Sequence, residues 1–173
     1  IKQIGKLANE FSDFARMPKP TLRENNIVIL LKENIKLLKE LDNSIKIDLS
    51  SNADKIILNS DREQISRVFL NLIKNSIESI QQKAENEGNF NKKITIELTE
   101  NDDHINLVIV DNGIGFEKLT KNIKDILNPY FTTKKNGTGL GLSIVNKIIN
   151  DHNGKIDFIS RNDGAKIKIN FIK

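Results

Sequence analysis

Residues 93–100, KITIELTE, and 104–111, HINLVIVD, read as two β-branched, apolar strands paired around the polar turn NDD. A strand hairpin of this kind imposes antiparallel pairing and limits the sheets that can contain it. A second hairpin closes the chain, with KIDFIS at 155–160, the turn RNDG, and KIKINFI at 166–172. Two shorter strand candidates, SIKIDLS and KIILNS, lie at 44–50 and 55–60. Helical spacing runs through Ile27, Leu30, Leu31, Ile35, Leu38 and Leu41, and through Ile65, Val68, Phe69, Leu72, Ile73, Ile77 and Ile80 in a helix expected over 62–82. The polar stretch QQKAENEGNFNKK that follows is expected to be a loop, and a further helix is expected over about 139–150. Helices thus alternate with antiparallel-looking strand pairs, not with single strands. That order predicts an α+β two-layer sandwich, with one mixed sheet covered on one face by helices, and excludes a doubly wound nucleotide fold.

The N-terminal residues carry a separate helical seam in Ile1, Ile4, Leu7, Ala8, Phe11, Phe14 and Ala15, near the period of a helical bundle. MPKP at 17–20 ends it, because Pro18 and Pro20 cannot continue a helix. The 173 residues therefore divide into a helix remnant over 1–20 and a domain over 21–173. The chain opens on Ile1, which suggests a part of something longer. It has no cysteine, so it holds no disulfide or thiolate metal site. Net charge is +4, but lysines and acids are interleaved and only nine residues are aromatic, one of them tyrosine and eight phenylalanine. A basic stripe with interleaved aromatics is missing, so nucleic acid is not an expected partner.

Three short patterns carry chemistry. In NLIKNSIES, residues 71–79, Asn71 and Asn75 stand four apart and emerge on one side of the helix. A neutral amide oxygen there can ligate a hard cation such as Mg²⁺. In VIVDNGIGF, residues 108–116, a strand ends on Asp111, and Gly113 and Gly115 allow a tight turn. A carboxylate in that position suits an exocyclic amine such as adenine N6. In KKNGTGLGLSIVNKI, from Lys134 to Ile148, three of the chain's nine glycines, Gly137, Gly139 and Gly141, precede an apolar helix. Backbone N–H groups and a helix N-terminus there suit phosphates, with Lys134 and Lys135 upstream to neutralise them. No Lys-Ser/Thr pair follows the last glycine, so this is not a P-loop.

In this order the three patterns resemble the nucleotide site of the GHKL ATPase superfamily, with its Bergerat-type fold. PYFTT at 129–133 is similar to the phenylalanine box of sensor histidine kinases, and EFSDFARMPKP at 10–20 to the end of the dimerisation hairpin in NtrY-like nitrogen-regulation kinases. The resemblance implies a catalytic domain that binds ATP with Mg²⁺, using Asn75, or Asn71, on the metal and Asp111 on adenine. It further implies Gly113 and Gly115 shaping the adenine pocket, Phe131 anchoring a lid, Lys134 near the phosphates, and Gly137, Thr138, Gly139, Leu140 and Gly141 wrapping them, with Thr132, Thr133 and Leu142 as further ATP-binding residues. Residues 116–138 would form a lid with few apolar anchors.

One departure from the family stands out. The phosphoacceptor motif is missing: His104 lies in an expected strand and His152 in a turn. The resemblance therefore implies that the phosphoryl group goes to a histidine on a dimerisation domain outside this chain, and from there to a response regulator. A homodimeric, membrane-anchored full-length protein with this domain in the cytoplasm is the corresponding expectation. Hydrolytic relatives hold a glutamate base where Asn71 stands, and an amide cannot take a proton from water. Glu63 and Glu78, the nearest acids on that helix, are expected at the surface. The alternatives are another kinase or ATPase of the superfamily, or a nucleotide-gated interaction module.

Overall fold

A computed structural model describes residues 17–117, 120, 122–134 and 137–173. The helix expected over residues 1–17 lies outside them except for Met17, which packs on the core. Lys135 also lies outside.

The chain enters through β1 (Arg23–Asn26), α1 (Ile27–Lys39), β2 (Lys46–Ser51) and β3 (Ile57–Ser60). The long α2 (Arg62–Glu87) follows, then β4 (Lys93–Glu100) and β5 (His104–Asp111). A 3-10 turn (Ile123–Leu127), α3 (Gly141–Asp151), β6 (Gly154–Arg161) and β7 (Gly164–Ile172) complete it. One mixed sheet forms, as expected, and its five strands run in the order β2-β4-β5-β7-β6. The expected pairing of the two early strands does not form. β2 instead runs parallel to β4, placing Ile47 beside Ile94 and Leu49 beside Ile96, and β3 pairs antiparallel with β1. β1 reads RENN and has no apolar alternation to reveal it.

Alternation decides which face each strand buries. Ile94, Ile96 and Leu98 of β4 face the helices, as do Ile105, Leu107 and Ile109 of β5 and Ile167, Ile169 and Phe171 of β7. Period two carries the same face to the end of β5, so Asp111 points into the helix-covered layer. α2 buries Ile65, Val68, Phe69, Leu72, Ile73, Ile77 and Ile80 against that layer. Asp61 caps it by accepting from the N–H groups of Glu63 and Gln64, each at 3.1 Å.

α2 continues to Glu87, where a loop was expected from residue 81. Its last turns face solvent, so they have no apolar stripe, yet glutamine, lysine, alanine and glutamate are good helix formers. Gly88, at φ 79°, ends the helix. α1 stops at Lys39, which leaves Leu41 exposed, outside the helix.

His152 joins the ends of two helices. Its Nδ1–H donates to the Ile148 carbonyl at 2.7 Å, and its Nε2 accepts from the Asp61 N–H at 3.0 Å. The end of α3 is thereby fixed to the cap of α2. Among the described residues, no helix is long and apolar enough to cross a membrane.

Candidate functional site

Between α2, the ends of β5 and β7, and the segment leading into α3 lies a cavity of about 740 Å³. One end is set by Asp111, which is only 4% exposed. Its Oδ1 accepts from the Gly113 N–H at 2.9 Å and its Oδ2 from the Ser76 hydroxyl at 3.0 Å. Burial pushes the carboxyl above the ordinary aspartate value, and the Gly113 N–H, the Ser76 hydroxyl, the Ala165 N–H and the charge of Arg161 pull it part of the way back. With three donors on its two oxygens, the carboxylate still has acceptor capacity for a ligand donor. Gly164 arches over the other side at φ 134°, and a Cβ there would stand 2.0 Å from the Asp111 carbonyl oxygen. Only glycine fits that approach.

The opposite end is polar and charged. α2 presents Arg67, Asn71, Lys74, Asn75, Glu78 and Gln82 along one face. Asn71 donates to the Arg67 carbonyl at 2.9 Å and turns its Oδ1 towards Gly141, at the first turn of α3. Asn75 Oδ1 accepts from the Lys134 ammonium at 3.0 Å, and the same ammonium pairs with Glu78. Thr132 Oγ1 accepts from the Lys134 N–H at 3.1 Å and fixes the turn that carries it. Gly139, at φ 69°, brings its carbonyl to the Tyr130 N–H at 3.0 Å, where any side chain would strike the Tyr130 backbone. The N-terminus of α3 has no side-chain cap, so its first N–H groups are open to an acceptor.

Residues 60–173 match the family model of histidine kinase-, DNA gyrase B- and HSP90-like ATPases. The chain belongs to that family. Within it, 37% of 169 residues are identical to the NtrY-like sensor histidine kinase of Rickettsia typhi, covering 97% of this chain and 27% of the relative. The chain thus spans about a quarter of that relative's length. The catalytic domain of the histidine kinase ThkA superposes with a TM-score of 0.74 at 30% identity, over 88% of this chain and 95% of that one. ThkA in complex with the response regulator TrrA shares the fold, with a TM-score of 0.77 at 24% identity, over 99% of this chain and 48% of that one. The mixed sheet under its helices is therefore the catalytic-domain fold of histidine kinases within this ATPase family.

Against the family's motifs, Asn71, Asn75, Asp111, Gly115, Phe131, Thr132, Thr133, Lys134, Gly137, Thr138, Gly139, Gly141 and Leu142 all line the cavity. Gly113 and Leu140 do not. Gly113 packs behind Asp111 against Ser79, and Leu140 is fully buried in the core. Glu63 is exposed, as expected, and the partly exposed Glu78 also lines the cavity. Extending the Asn71–Asn75 face by one helical turn towards the N-terminus and two towards the C-terminus reaches Arg67, Glu78 and Gln82, so that signal was present in the sequence. Ala165 and Ile167 line the cavity from β7, more than fifty residues beyond Asp111, and no local pattern marks them. The expected lid is better anchored than its composition suggests. Phe116 is buried and meets Phe158 edge-on at 5.7 Å, and Ile126 of the 3-10 turn is buried as well.

Proposed function

We propose that this chain binds ATP with Mg²⁺ and transfers the γ-phosphoryl group to a histidine of a dimerisation domain, as the catalytic part of a sensor histidine kinase. One observation carries the reading: a single cavity pairs a buried carboxylate at one end with cationic and amide groups and an open helix N-terminus at the other. An adenine amine and a polyphosphate need those two ends. The cavity volume also falls within the usual range for small-molecule sites, about 300–1,000 Å³.

The donor set fits a magnesium ion carried by phosphates. Among the described residues no group of three or more His, Asp or Glu could cage a metal. Asn75 nevertheless turns an oxygen towards positive charge. Asn75, with Asn71 beside it, would hold the ion while phosphates and water complete its shell. The ion would neutralise developing phosphate charge. The protein's own groups position the reactants: Asp111 anchors the base, Lys134 and the α3 N-terminus draw the phosphates, and Phe131 packs the lid on the core. An imidazole nitrogen then attacks the γ-phosphorus as the bond to the ADP oxygen breaks. Asn71 offers no base for water, which leaves ATP for the histidine.

Neither histidine of this chain is placed to accept. His104 lies in β5, and both ring nitrogens of buried His152 are hydrogen-bonded to backbone. The acceptor would come from a dimerisation domain, with relay to a response regulator, in a homodimer anchored at the membrane.

Calorimetry with ATP, with and without Mg²⁺, tests binding. Labelled ATP with a separately produced histidine-bearing dimerisation domain tests transfer. Acid-labile phosphate on that domain is the expected result. Binding without transfer would favour a nucleotide-gated interaction module, and phosphate release without transfer a hydrolytic ATPase.

A further inference from the structure

Lys134 reaches across the mouth of the cavity from the segment before α3 to the face of α2. Its ammonium donates to Asn75 Oδ1 at 3.0 Å and pairs with a carboxylate oxygen of Glu78. Asn75 and Glu78 are three residues apart, so their side chains leave one side of a helical turn. The two oxygens converge on one cationic nitrogen. One neutral and one anionic oxygen, held on a rigid helix and facing a cavity, also form a donor pair that a hard divalent ion accepts. The Lys134 ammonium marks where such an ion fits.

The remaining surroundings favour positive charge in that place without closing it off. Lys74 stands 3.8 Å from Glu78, so Glu78 already gathers two ammonium groups. Its side chain is 34% exposed and that of Lys134 is 41% exposed, which leaves the pair open to exchange with ions from solution. Exposed pairs of this kind hold weakly.

We propose that Asn75 and Glu78 form a cation seat at the mouth of the cavity, and that the Lys134 ammonium and a divalent metal ion compete for it. Glu78 is then a residue of the site and not a surface acid. When a metal ion takes the seat, Lys134 is released beside it, within the same cavity, as a free cation for an anionic ligand. The charge of Glu78 acts twice in one direction. Without metal it holds Lys134 back and opposes phosphate. With metal it attracts the ion. Both effects make anion binding depend more steeply on the divalent ion.

The first test uses Mn²⁺ alone and does not depend on the nucleotide reading. Paramagnetic broadening of the Asn75 side-chain amide is followed by NMR on the full chain, in the wild type, Lys134→Gln and Glu78→Gln. The amide spectrum of each variant verifies its fold. Lys134→Gln empties the seat, so broadening should occur at several-fold lower Mn²⁺. Glu78→Gln removes the anionic oxygen, so it should need several-fold more, and Glu78→Asp, which keeps the charge, should recover part of the effect. Equal midpoints in the wild type and Lys134→Gln would overturn the competition. Equal midpoints in the wild type and Glu78→Gln would overturn the seat.

The second test rests on the nucleotide reading. The ratio of ATP affinity with Mg²⁺ to that without it should fall about five-fold in Glu78→Gln, the scale of one exposed ion pair. An unchanged ratio counts against the role of Glu78. A seat seen with Mn²⁺ in a chain that binds no ATP keeps the seat and overturns the nucleotide reading.

Discussion

The two ends of the cavity are built by different means. At the Asp111 end, the carboxylate sits on a central strand, hydrogen-bonded to β4 on one side and β7 on the other. Its oxygens are oriented by a backbone N–H and a buried serine, and Gly164 closes over it. At the Lys134 end, a lysine is held by one amide oxygen and one half-exposed carboxylate, on a turn fixed by Thr132. The first end cannot rearrange without disturbing the sheet. The second is held by charge–charge contacts that water and salt weaken. A site built this way reads the uncharged part of a ligand with a fixed surface and its charged part with groups that can exchange partners.

The largest expected effect breaks the fixed end. Gly164→Val places a branched side chain at φ 134° against the Asp111 carbonyl. It should lower stability by about 3 kcal/mol, from strain and overpacking together. Thermal unfolding measures this, and ATP binding should weaken with it. A variant as stable as the wild type would show that the fixed end can yield.

Next in size, Asp111→Asn separates recognition from stability. Losing a charge-assisted hydrogen bond to the base should weaken ATP binding by roughly 1.5–3 kcal/mol, read by calorimetry. Stability should move the other way. Burial raises the folded carboxyl above its unfolded value, so its stabilising contribution is full below the ordinary carboxylate range and is lost as pH rises through the folded value. Denaturant unfolding over a pH series should therefore show the wild type losing stability relative to Asp111→Asn as pH rises above the ordinary aspartate value of about 4. A difference independent of pH would mean that the donors and charge around the carboxyl fully offset the burial.

His152→Leu keeps the volume but removes the acceptor for the Asp61 N–H. A half-buried amide left unpaired should cost about 1.5 kcal/mol of stability. Because α3 carries the glycine segment on its other end, the variant should also raise hydrogen exchange at Gly141 and Leu142 more than at Asp111. Equal exchange at both ends would place the joint outside the site's support.

The smallest effect belongs to the charged end. Lys134→Met should change stability by less than about 1 kcal/mol, since both members of its ion pair are partly exposed. Its influence on ATP binding should fall as salt is raised, whereas that of Asp111→Asn should not.

Much of this was readable in the chain. The β4–β5 and β6–β7 hairpins follow from alternation and turns, and the buried face of α2 follows from its spacing up to Ile80. The position of Asp111 follows from the same alternation, since it continues the buried row of Ile105, Leu107 and Ile109. What escaped is instructive. The last turns of α2 were hidden because solvent-facing helix has no apolar period. β1 was hidden because its polar residues are recruited to a strand by pairing with β3. The parallel partner of β2 was hidden because partner choice depends on how a long crossover closes, not on either strand's own residues.

The sequence by itself determined which residues face a core and where the backbone can bend sharply, because periodicity and glycine act locally. Only the tertiary structure decided which distant residues share the cavity. Gly164 and Ala165 meet Asp111 through the β5–β7 register, and Glu78 joins Asn75 and Lys134 because the segment before α3 crosses back over α2. Side-chain burial is encoded in neighbours along the chain. The meeting of charges from separate elements exists only once the chain has closed on itself.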